Sequence, residues 1–295
     1  MKLFIQLFLT VCFVFGFAGN SFGQISNGCF ELMDPCEMIS DPYLDPPVYI
    51  NRPTMWDCDN YVAVQSNFIP GVPPHTGSGG EASWQWVFPD NNVVPYEGEY
   101  FVILSTGDIR PDTTYSMMTQ DVNFVKGQTV EFYYFFGTMD YVPFDDFATV
   151  KFHEIDSNGL ILHSQEVLNV SIRDITNYNC TPGWVKLSYF LDPNDPNNYN
   201  RIEFYVQDVG DAVYNSYFAI DGLKLGFKPE TGDLNDDWMV DFQDFAILGQ
   251  HWNQDSNDPN LLGWADFDDT NSVDVNDLMI FSSYWLDGEP NICPH

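Results

Sequence analysis

The chain has 295 residues and a net charge of −33, with 43 acidic against 10 basic side chains. A polyanion of this kind repels phosphate backbones, which excludes nucleic acid as a partner class. At 44% hydrophobic residues the chain can bury a sizeable core, and its length allows one large domain plus a small module.

Residues 1–23 open with one Lys and continue as an apolar run from Leu3 to Ala18, broken by Gln6, Thr10 and Gly16. Ser21 and Gly23 precede an expected cut after Gly23, the layout of a secretory signal peptide. The mature protein is therefore expected to be exported, either secreted or held at the cell surface. No later stretch is apolar for long enough to span a bilayer. Cys12 leaves with the signal, and Cys29, Cys36, Cys58, Cys180 and Cys293 remain. Export permits disulfides, an odd count leaves at least one thiol, and the absence of any CxxC argues against a zinc knuckle.

Residues 24–226 read as an all-β domain. Short aromatic and β-branched runs recur between Gly, Pro, Asn and Asp clusters: EYFVIL (99–104), YSMMTQDV (115–122), QTVEFYYFFGT (128–138), ATVKFHEI (148–155), LILHSQEVLNV (160–170), WVKLSYFL (184–191), RIEFYVQDV (201–209) and YFAIDGLKLG (217–226). RIEFYVQDV alternates, with Ile202, Phe204 and Val206 opposed to Arg201, Glu203 and Gln207. Eight or more strands predict a two-sheet sandwich of jelly-roll type. Residues 39–98 hold nine of the nineteen prolines and read as long loops, the usual place for binding on a rigid sheet.

Saccharides stack their C–H faces on exposed rings. Trp84 and Trp86, two apart in SWQW, share one strand face and are the ligand-binding pair expected here. Trp56, Tyr96 and Tyr141 fall in expected loops. Asp140, Asp145 and Asp146 cluster near Tyr141 and suit either a turn or a cation site. There is no GxSxG, no HExxH and no phosphate loop, so no catalytic residue is named. The domain reads as binding rather than catalytic; were it an enzyme, two carboxylates of a small jelly-roll glycoside hydrolase or lyase would be the expected machinery.

Residues 227–232 form a linker, and the pattern then changes. From Pro229 to His295 there are 15 acidic residues and no Lys or Arg. The acidity repeats at an offset of 33. Asp233, Asn235, Asp237, Asp241 and Asp244 align with Asp266, Asp268, Thr270, Asp274 and Asp277, and Trp252 falls on Trp285. These are places one, three, five, nine and twelve of a twelve-residue loop. Calcium takes oxygen ligands at those places, with a backbone carbonyl at place seven, here Met239 and Ser272. Place six commonly takes positive φ; Asn271 suits it, whereas Trp238 in that geometry would cost about 1–2 kcal/mol. At place eight, Val240 and Val273 are apolar residues able to pair the two loops. Helical spacing follows each loop: Phe242, Phe245, Leu248 and Trp252, then Val275, Leu278, Phe281 and Trp285. Asp241, Asp244, Asp274 and Asp277 also suit helix capping, which explains places nine and twelve but not one, three and five. Calcium is the expected cofactor, bound at both loops with constants of about 10⁻⁵ to 10⁻³ M.

GDLNDDWMVDFQDFAILGQHW and ADFDDTNSVDVNDLMIFSSYW resemble a type I dockerin, two calcium loop–helix copies without entering helices. By that resemblance residues 233–289 form a dockerin-like module before a 290–295 tail, and its partner would be a cohesin module on a scaffold or cell surface. Places ten and eleven depart from the small hydroxyl residues common in that family: they are Phe242, Gln243, Val275 and Asn276. NGCFE (27–31) and YFAIDGLKLG resemble the first and last strands of jelly-roll carbohydrate-binding modules of the family-4/9 kind, which implies a structural calcium at Glu31 and Asp221. FDDFATV (144–150) looks like segments of exported bacterial surface proteins. Together the resemblances imply a secreted, calcium-binding protein of polysaccharide binding or catabolism; the alternative is a structural or adhesive surface protein without a glycan ligand.

Overall fold

The computed structural model describes residues 25–34, 37–39, 48–67, 93–106, 114–210, 214–227, 229, 231–254, 265–268 and 270–286. The expected signal segment, Trp84, Trp86, Cys36, Cys293 and the 290–295 tail lie outside the described residues. Strands β1 (Glu37–Ile39) and β2 (Val48–Ile50) pair as a short antiparallel hairpin. There follow β3 (Asp57–Asp59), β4 (Tyr61–Gln65), β5 (Phe101–Ser105) and β6 (Tyr115–Asp121). After these come β7 (Thr129–Thr138), β8 (Phe147–Ile155) and β9 (Ile161–Ser171). A single turn, α1 (Ile172–Ile175), is capped by Ser171 and Asp174 and leads into β10 (Val185–Phe190), β11 (Arg201–Gln207) and β12 (Ser216–Gly226).

The strands build two antiparallel five-stranded sheets, in the orders β10-β7-β12-β5-β4 and β3-β6-β11-β8-β9. One apolar core joins their inner faces. Phe204 of β11 meets Phe132 of β7 at 5.4 Å and Phe218 of β12 at 6.4 Å between ring centroids. The protein is thus mainly β, a sandwich, and the eight segments from Glu99 onward each hold one of the strands β5 to β12.

The two sheets differ in what covers their outer faces. In β5 every residue is buried, and in β12 the first eight are. Tyr61, Ala63, Phe101, Ile103, Phe135, Tyr217 and Ala219 point away from the shared core, yet they are buried in a second cluster with Ile50 and Val93. Such double burial explains why these strands read as continuous apolar runs. In β11, by contrast, buried and half-buried residues alternate strictly. Among the described residues, its sheet carries an apolar cluster on one face only.

Two expectations are corrected. Residues 39–98 are not only loops: β2, β3 and β4 lie there, and the prolines before, among and after them hid the short runs VYI and YVAVQ. Trp56 is 7% exposed and packs between Phe30 at 5.9 Å and Phe204 at 5.8 Å, so it belongs to the core. Cys29 is disulfide-bonded, while Cys58 and Cys180 are thiols. Among the described residues no helix is long and apolar enough to cross a membrane.

Helices α2 (Phe242–Gln250) and α3 (Val275–Ser283) follow the two acidic loops. Their core is built largely from the loops: Leu234, Val240, Ala265 and Val273 join Leu248 and Phe281. The expected helix faces are corrected accordingly. Phe242, Phe245, Trp252 and Val275 are 75%, 43%, 40% and 57% exposed. A nine-residue helix presents about two and a half turns, and one or two residues on each suffice to meet a core that the loops already fill.

Candidate functional site

The repeat seen in the sequence is a repeat of hydrogen bonds. At place one, Asp233 accepts from the N–H groups of Asp237 (3.1 Å) and Trp238 (2.9 Å). Asp266 accepts likewise from Thr270 (3.1 Å) and Asn271 (2.8 Å). At place twelve, Asp244 is fully buried and accepts from Leu234 N (2.7 Å), Asn235 N (3.2 Å) and Asp241 N (2.8 Å). Asp277 is equally buried and accepts from Phe267 N (2.7 Å), Asp268 N (3.4 Å) and Asp274 N (2.7 Å). Asp241 and Asp274 cap the helices, each accepting from the N–H two places on at 2.7 Å. Places nine and twelve are therefore capping boxes, whatever else they do.

Places three and five lie inside the same wrap. Asn235 donates to Asp237 at 2.8 Å, and Asp237 also accepts from Met239 N at 3.0 Å. Thr270 donates to Asp268 at 2.8 Å. Carboxylate oxygens of Asp266, Asp268 and Asp277 lie within 4.8 Å of one another. Mutual repulsion at that spacing is relieved by a cation or by protonation. Burial, the leading cause, raises the Asp233 pKa, and neighbouring Asp244 and Asp237 add to it. The donor set is oxygen throughout, suited to a hard divalent cation.

The place-six residues both take positive φ: 76° at Trp238 and 65° at Asn271. Trp238 is 3% exposed. Val240 and Val273 are buried together, and their carbonyls tie each loop to the far end of the other helix. Leu286 N donates to Val240 O at 2.8 Å and Asn253 N to Val273 O at 2.9 Å. The module also touches the sandwich: Lys186 of β10 pairs with Asp236 at place four and, at 3.1 Å, with the buried Glu131 of β7.

Glu31 and Asp221 converge on one turn, residues 96–100. Asp221, fully buried, accepts from Tyr96 N (2.7 Å), Glu97 N (3.1 Å) and Gly222 N (2.8 Å). Burial lifts its pKa to about 7. Glu31 accepts from Glu99 N (2.8 Å) and Tyr100 N (3.3 Å), and a Cβ at Gly98 would stand 2.0 Å from the Glu31 carboxylate. The pair anchors this turn through amide donors. Tyr96 lies flat on Tyr133 with centroids 3.5 Å apart. Asp146 is fully buried; it accepts from Val209 N (2.8 Å) and Ser216 (2.6 Å), and burial pushes its pKa to about 8.

The open face of the second sheet carries a feature not singled out from the sequence. Register places Tyr115, Gln207 and Phe147 in one row across β6, β11 and β8, and Met117, Tyr205 and Thr149 in the next. The rings of Tyr115 and Tyr205 are near-parallel, 5.7 Å apart at 21°, and Phe147 lies 6.3 Å from Tyr205. Each phenol is held: Tyr115 donates to Asp59 at 2.7 Å and Tyr205 to Gln207 at 2.8 Å. The Asp59 bond raises the Tyr115 pKa, and burial raises that of Tyr205, so both stay neutral donors. Arg201–Asp121, at 2.6 Å, closes the far end of the face. Alternation in RIEFYVQDV was the available signal, but not which side would be open.

No protein-family profile matches the chain, and no curated protein does. Among solved structures it is similar to a family 16 carbohydrate-binding module, with 16% identity over 51% of this chain and 92% of that one, at a TM-score of 0.27. A xylan-binding domain from family 22 shares 13% identity over 65% and 93% of the two chains, at 0.30. A Stig cyclase from Fischerella sp. TAU is as near, with 10% identity over 69% and 96%, at 0.33. At such scores the likeness carries no argument about function, and the architecture rests on its own strand pairing.

Proposed function

We propose that this protein is a non-catalytic binder of neutral polysaccharide, exported and anchored through a calcium-dependent module at its C-terminal end. The observation that carries the reading is the cluster of Tyr115, Tyr205 and Phe147 rings on the outer face of the second sheet. Aromatic faces bear negative quadrupole potential and attract the polarised C–H groups of a pyranose. Fixed phenols, Gln207 and Asp59 then offer hydrogen bonds to its hydroxyls without ordering cost. The net charge of −33 disfavours uronate and sulfated chains. Trp84 and Trp86 remain proposed as further ligand contacts.

Calcium would be held by Asp233, Asn235, Asp237, the Met239 carbonyl, Asp241 and Asp244, and by Asp266, Asp268, Thr270, the Ser272 carbonyl, Asp274 and Asp277. It would supply the positive charge that these clustered carboxylates lack. The exposed Phe242, Val275 and Met279 give the module an apolar surface for a protein partner, a cohesin module by resemblance.

The full chain should be retained on insoluble neutral polysaccharides, and Tyr205→Ala should lose retention while keeping its unfolding temperature. Retention unaffected by that change would sink the sheet-face reading. Calorimetric titration of the full chain should find two calcium sites, and Asp268→Ala should leave one. A site that survives substitution of both loops would belong to Glu31 and Asp221.

A further inference from the structure

The C-terminal module meets the sandwich through its first calcium loop. Lys186 of β10 pairs with Asp236, place four of that loop, and on its other side stands 3.1 Å from Glu131 of β7, whose side chain is 1% exposed. Lys186 lies in register with Tyr133, and Tyr133 with Asp221. This row faces outward from the first sheet, on the same side as Phe135 two places along β7. The ammonium is 6.0 Å from the centroid of the Tyr133 ring, which is itself stacked on Tyr96. Glu131 and the ring thus hold the cation on the sandwich. From Pro229 onward the chain has no Lys or Arg, so the sandwich supplies a charge that the module lacks.

Asp236 is aimed at that cation by the wound form of the loop. Its φ is 64°, and Trp238, two places on, has 76°. An indole-bearing residue in the left-handed region is strained, and such strain persists only where the surroundings over-determine it. One restraint is the Asp233 carboxylate, which accepts from the amides of Asp237 and Trp238. A second is Asp244, which accepts from those of Leu234 and Asn235. Both restraints are carboxylates that share one short loop with Asp237 and Asp241. Their mutual repulsion opposes the wound form until a cation neutralises it.

Resting on the calcium reading above, we infer that Glu131, Lys186 and Asp236 form a calcium-gated latch. Loop one, wound around its ion, docks on the outer face of the first sheet; loss of the ion unwinds it and withdraws Asp236 from Lys186. The coupling is reciprocal: whatever factor calcium adds to docking, docking adds to calcium affinity at loop one. Among the described residues no ion pair ties loop two to the sandwich, so its affinity stands apart from the latch. The docked face is the one opposite the face that carries Tyr115, Tyr205 and Phe147. A closed latch therefore turns the aromatic face away from the anchoring module, and an open one leaves the sandwich to swing on residues 227–232.

The test is a calcium titration of the isotope-labelled full chain by NMR, with the amides of Trp238 and Asn271 reporting loops one and two separately. Lys186→Met and Asp236→Asn should each lower loop-one affinity by about twofold to fivefold, the reach of a partly exposed ion pair, and leave loop two unchanged. A through-space field alone would move the two variants in opposite directions. Lys186→Met removes positive charge and would then raise calcium affinity, whereas Asp236→Asn removes negative charge and would lower it. Amide relaxation of the parent chain, which needs no variant, should show the module tumbling with the sandwich in calcium and apart from it in chelator. Opposite shifts of the two variants, or a module that tumbles with the sandwich in chelator, would overturn the latch and leave the calcium reading standing. No calcium binding at either loop would overturn both.

Discussion

Trp238 sits where the loop wants glycine, and its replacement sets three effects against one another. Its φ of 76° is strained for a bulky residue, and Gly would recover about 1–2 kcal/mol. Its indole Nε1–H is buried without a hydrogen-bond partner, and removing it recovers about 1 kcal/mol more. Against this, the side chain is only 3% exposed. Emptying such a site costs about 3–5 kcal/mol, and Gly adds about 0.5–1 in backbone entropy. Burial wins: Trp238→Gly should destabilise the module by about 1–3 kcal/mol despite curing the strain. Trp238→Phe keeps most of the buried area and loses the orphaned N–H, so it should stay within about 1 kcal/mol of the parent. Scanning calorimetry of the full chain in calcium-containing buffer reads this as a lowered transition for the Gly variant alone, by several degrees for so small a unit. A Gly variant as stable as the parent, or more so, would refute the reasoning and make Trp238 a residue kept at a cost.

Lys186→Met should loosen the module from the sandwich and leave Glu131, 1% exposed, without the cation beside it. Faster hydrogen exchange around Asp236 and a lower sandwich transition are expected, with Glu131→Gln in the same chain restoring the latter; unchanged exchange would show that the contact holds nothing. Asp146 gives a pH signature. Its folded pKa, about 8, lies above the unfolded value, so the native state binds the extra proton between roughly pH 4 and pH 8. Stability should therefore fall as pH rises through that window, and Asp146→Asn should flatten the slope; an unaltered slope in urea melts across that range would locate the proton elsewhere.

Capping and loop register were legible in the sequence because they are local. Asp233 needs only the amides four and five residues on, and Asp244 only those ten, nine and three residues back. The offset of 33 therefore carried its hydrogen bonds with it. Strands from Glu99 onward were legible for the same reason, their period being written into each run. The short strands up to Gln65 were not, since runs of three to five residues near prolines have too little pattern to read.

Partnership between distant segments was decided by the tertiary structure alone. Alternation in β11 showed that one side would be half-buried, but not that Tyr115, 90 positions before Tyr205, would stack beside it. Nor does composition distinguish Tyr217, fully buried under a second apolar layer, from Tyr205 on the open face. The loop–helix copies predicted their own apolar faces, yet Phe242 and Val275 were left outside because Val240 and Val273 had already closed the core between the loops. Local hydrogen bonding is encoded within a dozen residues, whereas exposure depends on which other segment arrives to cover a face. For this protein that division separates the acidic loops, read directly from the chain, from the aromatic sheet face, which exists only once β6, β8 and β11 lie side by side.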